Sequence, residues 1–92
     1  MAFKLGRTLM TCTVSHAMEV NPNFKRDVFR SFARYVKEDW GDLDEYDKLL
    51  NDKAVKENND RILAKYCTCG DPIYIITDRN RETTTIMLCS DY

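Results

Sequence analysis

Apolar residues along this chain keep two different periods, and the change between them falls near Asp60. In "NPNFKRDVFRSFARYVKEDW", Phe24, Val28, Phe32 and Val36 recur every four residues with Phe29 and Tyr35 beside them. That spacing predicts an amphipathic helix from Asn21 to about Lys37 with this stripe turned to the core. Asn21 is a good N-cap, and Pro22 suits the first helical position, where its missing N–H costs nothing. Gly41 separates this helix from a second, in which Asp42 and Glu45 are spaced as a capping box. Leu43, Tyr46, Leu50 and Ala54, with Leu49, are its expected buried stripe, and Asn58-Asn59 its stop. The earlier stretch from Val14 to Val20 reads as a short helix after a brief strand over Thr8 to Cys12.

Beyond Asp60 the pattern alternates. "DRILAKYCT" sets Ile62, Ala64 and Tyr66 against Arg61, Lys65 and Cys67, and "PIYIIT" and "ETTTIMLC" are two further β runs. Gly70-Asp71-Pro72 and Asp78-Arg79-Asn80-Arg81 supply the turns. Helices followed by strands predict an α+β fold: two main helices packed on a small antiparallel sheet of three strands, or four if Thr8 to Cys12 joins it. One domain over 1–92 is expected, with a helical part at about 13–58 and a β-meander at about 61–89. A chain of 92 residues with 43% hydrophobic and 32% charged residues has room for one modest core.

Charge changes this picture more than composition does. The net charge of −1 is made of +5 over residues 1–37, −6 over 38–60 and zero over 61–92. Within "KEDWGDLDEYDKLLND", residues 37–52, seven carboxylates surround one tryptophan. Helix capping and the helix dipole account for Asp42, Asp44, Glu45 and Asp47. Glu38 and Asp39 fall at the end of the preceding helix, where negative charge is disfavoured. Glu38, Asp39, Asp42 and Asp44 around Trp40 are therefore the expected partner-binding edge, suited to an arginine-rich protein surface. Trp40 itself either plugs the corner between the helices or stands out as a binding anchor. No continuous apolar run marks a membrane span or signal peptide near the start, so a cytoplasmic protein with reduced thiols is expected.

Signatures of chemistry are sparse. Cys67 and Cys69 form a lone C-x-C, Cys12 and Cys89 lie near opposite ends, and His16 is the single histidine, so neither a metal site nor a cysteine nucleophile is expected. The acids do not follow a calcium-loop spacing, and no glycine-rich phosphate loop is present. The expectation is a non-enzymatic protein with no cofactor. Arg26, Arg30 and Arg34 make a basic face on the first long helix, the alternative being a nucleic-acid contact. A pI near 5.8 and the acidic neighbouring segment speak against it.

"DWGDL", "NDKAV", "DRILAKY", "IYIITD" and "TTTIM", with the terminal Tyr92, resemble a group of short proteins encoded on plasmids, conjugative elements and phages of Gram-positive bacteria. These often carry labels such as plasmid-related protein or type I restriction subunit. The resemblance spans roughly Asn23 to Tyr92 and includes the Trp-Gly-Asp junction and an arginine-bearing turn, here Arg79 and Arg81. It implies membership of that group without a known activity; carriage on mobile DNA in turn makes a protein acting by protein–protein association the expectation, such as an anti-CRISPR or anti-restriction inhibitor that binds a nucleic-acid-handling defence complex.

Overall fold

In the computed structural model, which describes residues 3–92, Asn21 ends one helix and begins the next. Its N–H donates to the Ala17 carbonyl at the end of α1 (Cys12–Val20), while its side chain accepts from the N–H groups of Asn23 and Phe24 at the start of α2 (Pro22–Val36). One residue thus caps two helices. α3 (Glu45–Glu57) follows, ending at Asn58 in the left-handed conformation. The strands are β1 (Arg7–Met10), β2 (Ile62–Tyr66), β3 (Ile73–Thr77) and β4 (Thr83–Leu88), with a short 3-10 turn at Cys89–Asp91.

The class is α+β, with two corrections to the expected architecture. The described residues form three α-helices, since the short α1 is a full layer member packed on α2 and β4. The sheet is mixed: in the order β1-β4-β3-β2, the meander β2-β3-β4 is antiparallel, but β1 runs parallel to β4. The connections at 67–72 and 78–82 are too short for a crossover, so β2, β3 and β4 must reverse, whereas β1 is separated from β4 by the whole helical half and is free to run parallel.

The buried stripe of α2 is Phe24, Val28, Ser31 and Tyr35, while Phe32 and Val36 are half-buried and Phe29 is exposed. A strict four-residue step drifts by about 40° at each repeat on a helix of 3.6 residues per turn, so it leaves the core face within two turns. The sequence i, i+4, i+7, i+11 stays on it. Ser31 tolerates burial because its hydroxyl donates to the Asp27 carbonyl at 2.7 Å.

All three helices cover the sheet face formed by Ile62, Ala64, Tyr66, Ile73, Ile75, Thr77, Thr84 and Ile86. An aromatic cluster closes one end, with Tyr35 edge-on to both Phe3 and Trp40 at 5.5 Å. Buried hydroxyls form a directed chain. Thr84 donates to the Leu5 carbonyl at 2.7 Å, which leaves its oxygen to accept from Thr77 at 2.8 Å. Thr77 in turn accepts from Tyr35 at 2.6 Å. Burial pushes the Tyr35 phenol up, so it remains a donor.

The two sheet edges are treated differently. Along β2, Asp42 N–H donates to the Lys65 carbonyl, Lys65 N–H donates to the Trp40 carbonyl, and the Asp42 carboxylate accepts from Cys67 N–H. The Asn51 carboxamide on α3 both donates to the Leu63 carbonyl at 2.8 Å and accepts from its N–H at 3.2 Å. This edge is fully paired without a further strand. Replacing Asn51 with leucine leaves both Leu63 groups unpaired beneath α3, and a loss of about 2 kcal/mol is expected in urea denaturation. An unchanged midpoint would mean that water replaces the carboxamide.

Candidate functional site

The chain brings the predicted acidic residues to one corner, between the end of α2 and the start of α3, and there assigns most of them structural work. Trp40 is 3% exposed and its indole N–H donates to Asp52 at 2.9 Å. It plugs the helix corner and presents no surface to a partner, which corrects its expected place in the binding edge. Asp39 accepts two hydrogen bonds from the Arg34 guanidinium, at 2.8 and 3.1 Å, and one from Gly41 N–H. Arg34 also lies over the Tyr66 ring, 5.2 Å from its centroid. Asp42 does not cap α3: it binds Cys67 N–H, and Asp44 takes the capping role by accepting from Asp47 N–H at 2.8 Å. Glu38 holds a left-handed backbone conformation with φ of 64° as the chain turns out of α2.

These contacts predict an acid-sensitive corner. The hydrogen bonds from Arg34 hold Asp39 below the usual carboxylate range, and hydrogen bonding with Cys67 does the same for Asp42. Carboxylates whose folded pKa is depressed add stability that is complete above the unfolded value of about 4 and is lost as pH falls through the folded value. The melting temperature is therefore expected to drop on acidification below about pH 4. Asp39→Asn should start lower at neutral pH and lose less on the way down. If wild type and variant run parallel across that window, the Arg34 pair carries no linkage.

The basic face is also partly engaged. Arg34 is committed to Asp39, and Arg26 lies 3.7 Å from Asp27, whose carboxylate also accepts from Cys69 N–H. Arg30 lines a shallow 290 Å³ pocket with Asp27, Ser31, Arg34, Cys67 and Thr68, so cations and a carboxylate are mixed there.

What the sequence pattern missed is the outer face of α3. Tyr46, Leu49 and Leu50 are 69%, 64% and 47% exposed, although they carry the period of a buried stripe. The helix contacts the core through Asn51, Ala54 and half-buried Val55 instead. On a helical projection the three apolar residues share one exposed arc that also holds Lys53 and Glu57, with Lys56, Glu45 and Asp52 beyond Leu49. Beside Leu50 a cleft of about 490 Å³ opens between α3 and β2, with Leu43, Leu50, Ala54 and Leu63 as its apolar lining and Asp47, Lys53, Asp60 and Arg61 among its charged groups. No signal in the sequence distinguishes this arc from a core stripe, because both have the same spacing.

Among the described residues no group of three His, Cys, Asp or Glu is arranged to hold a metal ion. Cys12, Cys67 and Cys69 are exposed and Cys89 half-buried, all as free thiols. Asp42 pushes the Cys67 thiol up, and burial does the same for Cys89, the opposite of what activates a thiolate. No described helix is long and apolar enough to cross a membrane. No protein-family model, curated protein or solved structure matches the chain.

Proposed function

We propose that this protein acts without catalysis, as a stoichiometric binding protein whose third helix engages a protein partner. The observation that carries this is the exposed Tyr46, Leu49 and Leu50 arc in the most acidic part of the chain, where residues 38–60 hold nine acids and three lysines. Large apolar side chains that face water at helical spacing, rimmed by charge, are the usual mark of an association surface. The partner's surface is accordingly apolar at its centre and basic at its rim. With the resemblance to mobile-element proteins, this favours an inhibitor that occupies an arginine-rich, nucleic-acid-handling surface of a host-defence complex, of the anti-CRISPR or anti-restriction kind. Glu38 and the exposed carboxylates of the corner contribute the long-range field that steers association.

A photo-crosslinking residue in place of Leu49 should capture the partner from host lysate, and the same residue in place of Glu19 on α1 should not. Against the isolated partner, Tyr46→Ala with Leu49→Ala should lower affinity at least tenfold at an unchanged melting temperature, and wild-type affinity should fall as salt is raised. Wild-type affinity in the double variant would overturn the assignment to α3. A partner engaged through Arg26 and Arg30 instead would favour the basic face.

A further inference from the structure

Because α1, α2 and α3 all pack on one face of the sheet, the described residues form no covering layer on the other face. Register puts Leu9, Thr85, Ile76 and Leu63 in one row across it, and Met87, Tyr74 and Lys65 in the next, with Arg7 and Thr83 at the end of β1 and β4. Leu9 is 41% exposed and the others in these rows are half-buried. None of the four strands contains an Asp or Glu. Tyr92 lies over this face: its ring is 5.2 Å from that of Tyr74, its hydroxyl accepts from Arg61 at 2.7 Å, and the Arg61 guanidinium stands 6.0 Å from its centroid. Tyr92 remains 63% exposed.

We infer that this open sheet face binds a short stretch of single-stranded nucleic acid, through an activity separate from the α3 surface. Tyr92 and Tyr74 offer stacking area for unpaired bases, the Thr85 hydroxyl offers a hydrogen bond, that of Thr83 being engaged by Asp78, and Arg7, Arg61 and Lys65 meet phosphates. Charge decides the occupant. A second copy packed face to face would bring these three cations against their counterparts with no strand carboxylate to offset them, whereas a polyanion supplies the missing charge. The acids nearest this face stand at its margins: Asp60 is ion-paired with Arg79 before the start of β2, and the Asp78 carboxylate accepts from Thr83 at the start of β4. The path for a strand runs from Arg61 and Lys65 at β2 across β3 and β4 to Arg7 on β1. Four strands at about 4.8 Å spacing span roughly 14 Å between the outer two, room for a short stretch of single strand.

The test is fluorescence anisotropy with labelled oligouridylate and oligothymidylate, and with a duplex of the same length. Binding of either single strand, tighter than the duplex, is expected, and the stronger of the two names the ligand. Neutralising three phosphates predicts a slope of log affinity against log salt of roughly −2. Tyr92→Ala should weaken binding about tenfold, and Arg7→Gln with Lys65→Gln should flatten the salt slope, both at a melting temperature close to wild type. No binding at low salt overturns the inference. So does binding that survives these variants but is lost in Arg26→Gln with Arg30→Gln, which would move the contact to α2. A wild-type dimer in sedimentation that Ile76→Lys converts to monomer would assign the open face to a second copy and overturn it equally.

Discussion

Arg81→Met is expected to destabilise the protein by about 3 kcal/mol, a large part of the roughly 5 to 14 kcal/mol available to a chain of this size. Arg81 sits in the β3–β4 turn yet is only 5% exposed. Its Nη1 donates to the carbonyls of Asp60, Asp78 and Arg79, and its Nη2 to the Ala54 carbonyl in the last turn of α3. One guanidinium therefore ties the turn to the end of α3 and to the entry of β2. Among the described residues no carboxylate pairs with it, and its Nε has no partner. The cation is held by carbonyl dipoles alone, among them the negative end of the α3 dipole. Methionine fills the space and removes every side-chain donor, stripping the buried Ala54 carbonyl and the partly buried Asp60 and Arg79 carbonyls of the guanidinium, while the Asp78 carbonyl keeps the Arg81 backbone N–H. Lysine keeps the charge, but a single ammonium does not reach carbonyls spread over three segments, so Arg81→Lys should recover less than half of the loss. Urea denaturation of both variants measures this. A methionine variant as stable as wild type would mean that the desolvation of the unpaired cation cancels what its hydrogen bonds contribute.

Gly41→Ala is expected to cost at least as much, about 3 kcal/mol or more, and to loosen the acidic corner. Gly41 has φ of +76°, and a Cβ there would stand 2.0 Å from the Lys65 carbonyl oxygen and 2.7 Å from Cδ1 of Tyr66. The first is backbone in the sheet and the second a fully buried ring, so neither can move aside. Positive φ in a residue with a side chain adds about 1 kcal/mol of its own. The junction must part from β2, which breaks the Asp42 and Trp40 backbone bonds to Lys65 and uncovers the indole. Tryptophan emission should shift to longer wavelength in the alanine variant, together with the fall in denaturation midpoint. If emission and midpoint both match wild type, the close approach of Gly41 to β2 is not what holds the corner.

The binding surface depends on these same contacts. Arg81 and Asn51 fix α3 along the β2 edge, and that position leaves Tyr46, Leu49 and Leu50 facing water. Stability and the proposed function are thus coupled. A variant that frees α3 allows its apolar arc to turn inward, so the Arg81 variants should also lower affinity for the partner.

The sequence by itself determined the local elements. Asn21-Pro22 and the apolar period specify where α2 begins and how long it runs, and alternation at Ile62, Ala64 and Tyr66 specifies which side of β2 is inside, because cap chemistry and the strand period of two are properties of neighbouring residues. It also located the dense carboxylates, though not their tasks: Asp44 rather than Asp42 caps α3, because Asp42 is drawn to the open N–H of Cys67, just past the end of β2 and far along the chain. Everything that required knowing what lies across the fold was decided by tertiary structure. β1 joined β4 in parallel because nothing local fixes the direction of a strand whose partner is distant in sequence. Trp40 turned inward because a buried ring cluster with Phe3 and Tyr35, and Asp52 one helix away, were there to receive it. Arg81 was buried because four carbonyls converge on the β3–β4 turn. Tyr46, Leu49 and Leu50 stayed exposed because α1 and α2 already cover β4 and β3, leaving α3 only the edge of β2 and one narrow side of itself to bury. Periodicity states that a helix has an apolar arc; only the space left by the rest of the fold decides whether that arc meets the core or a partner.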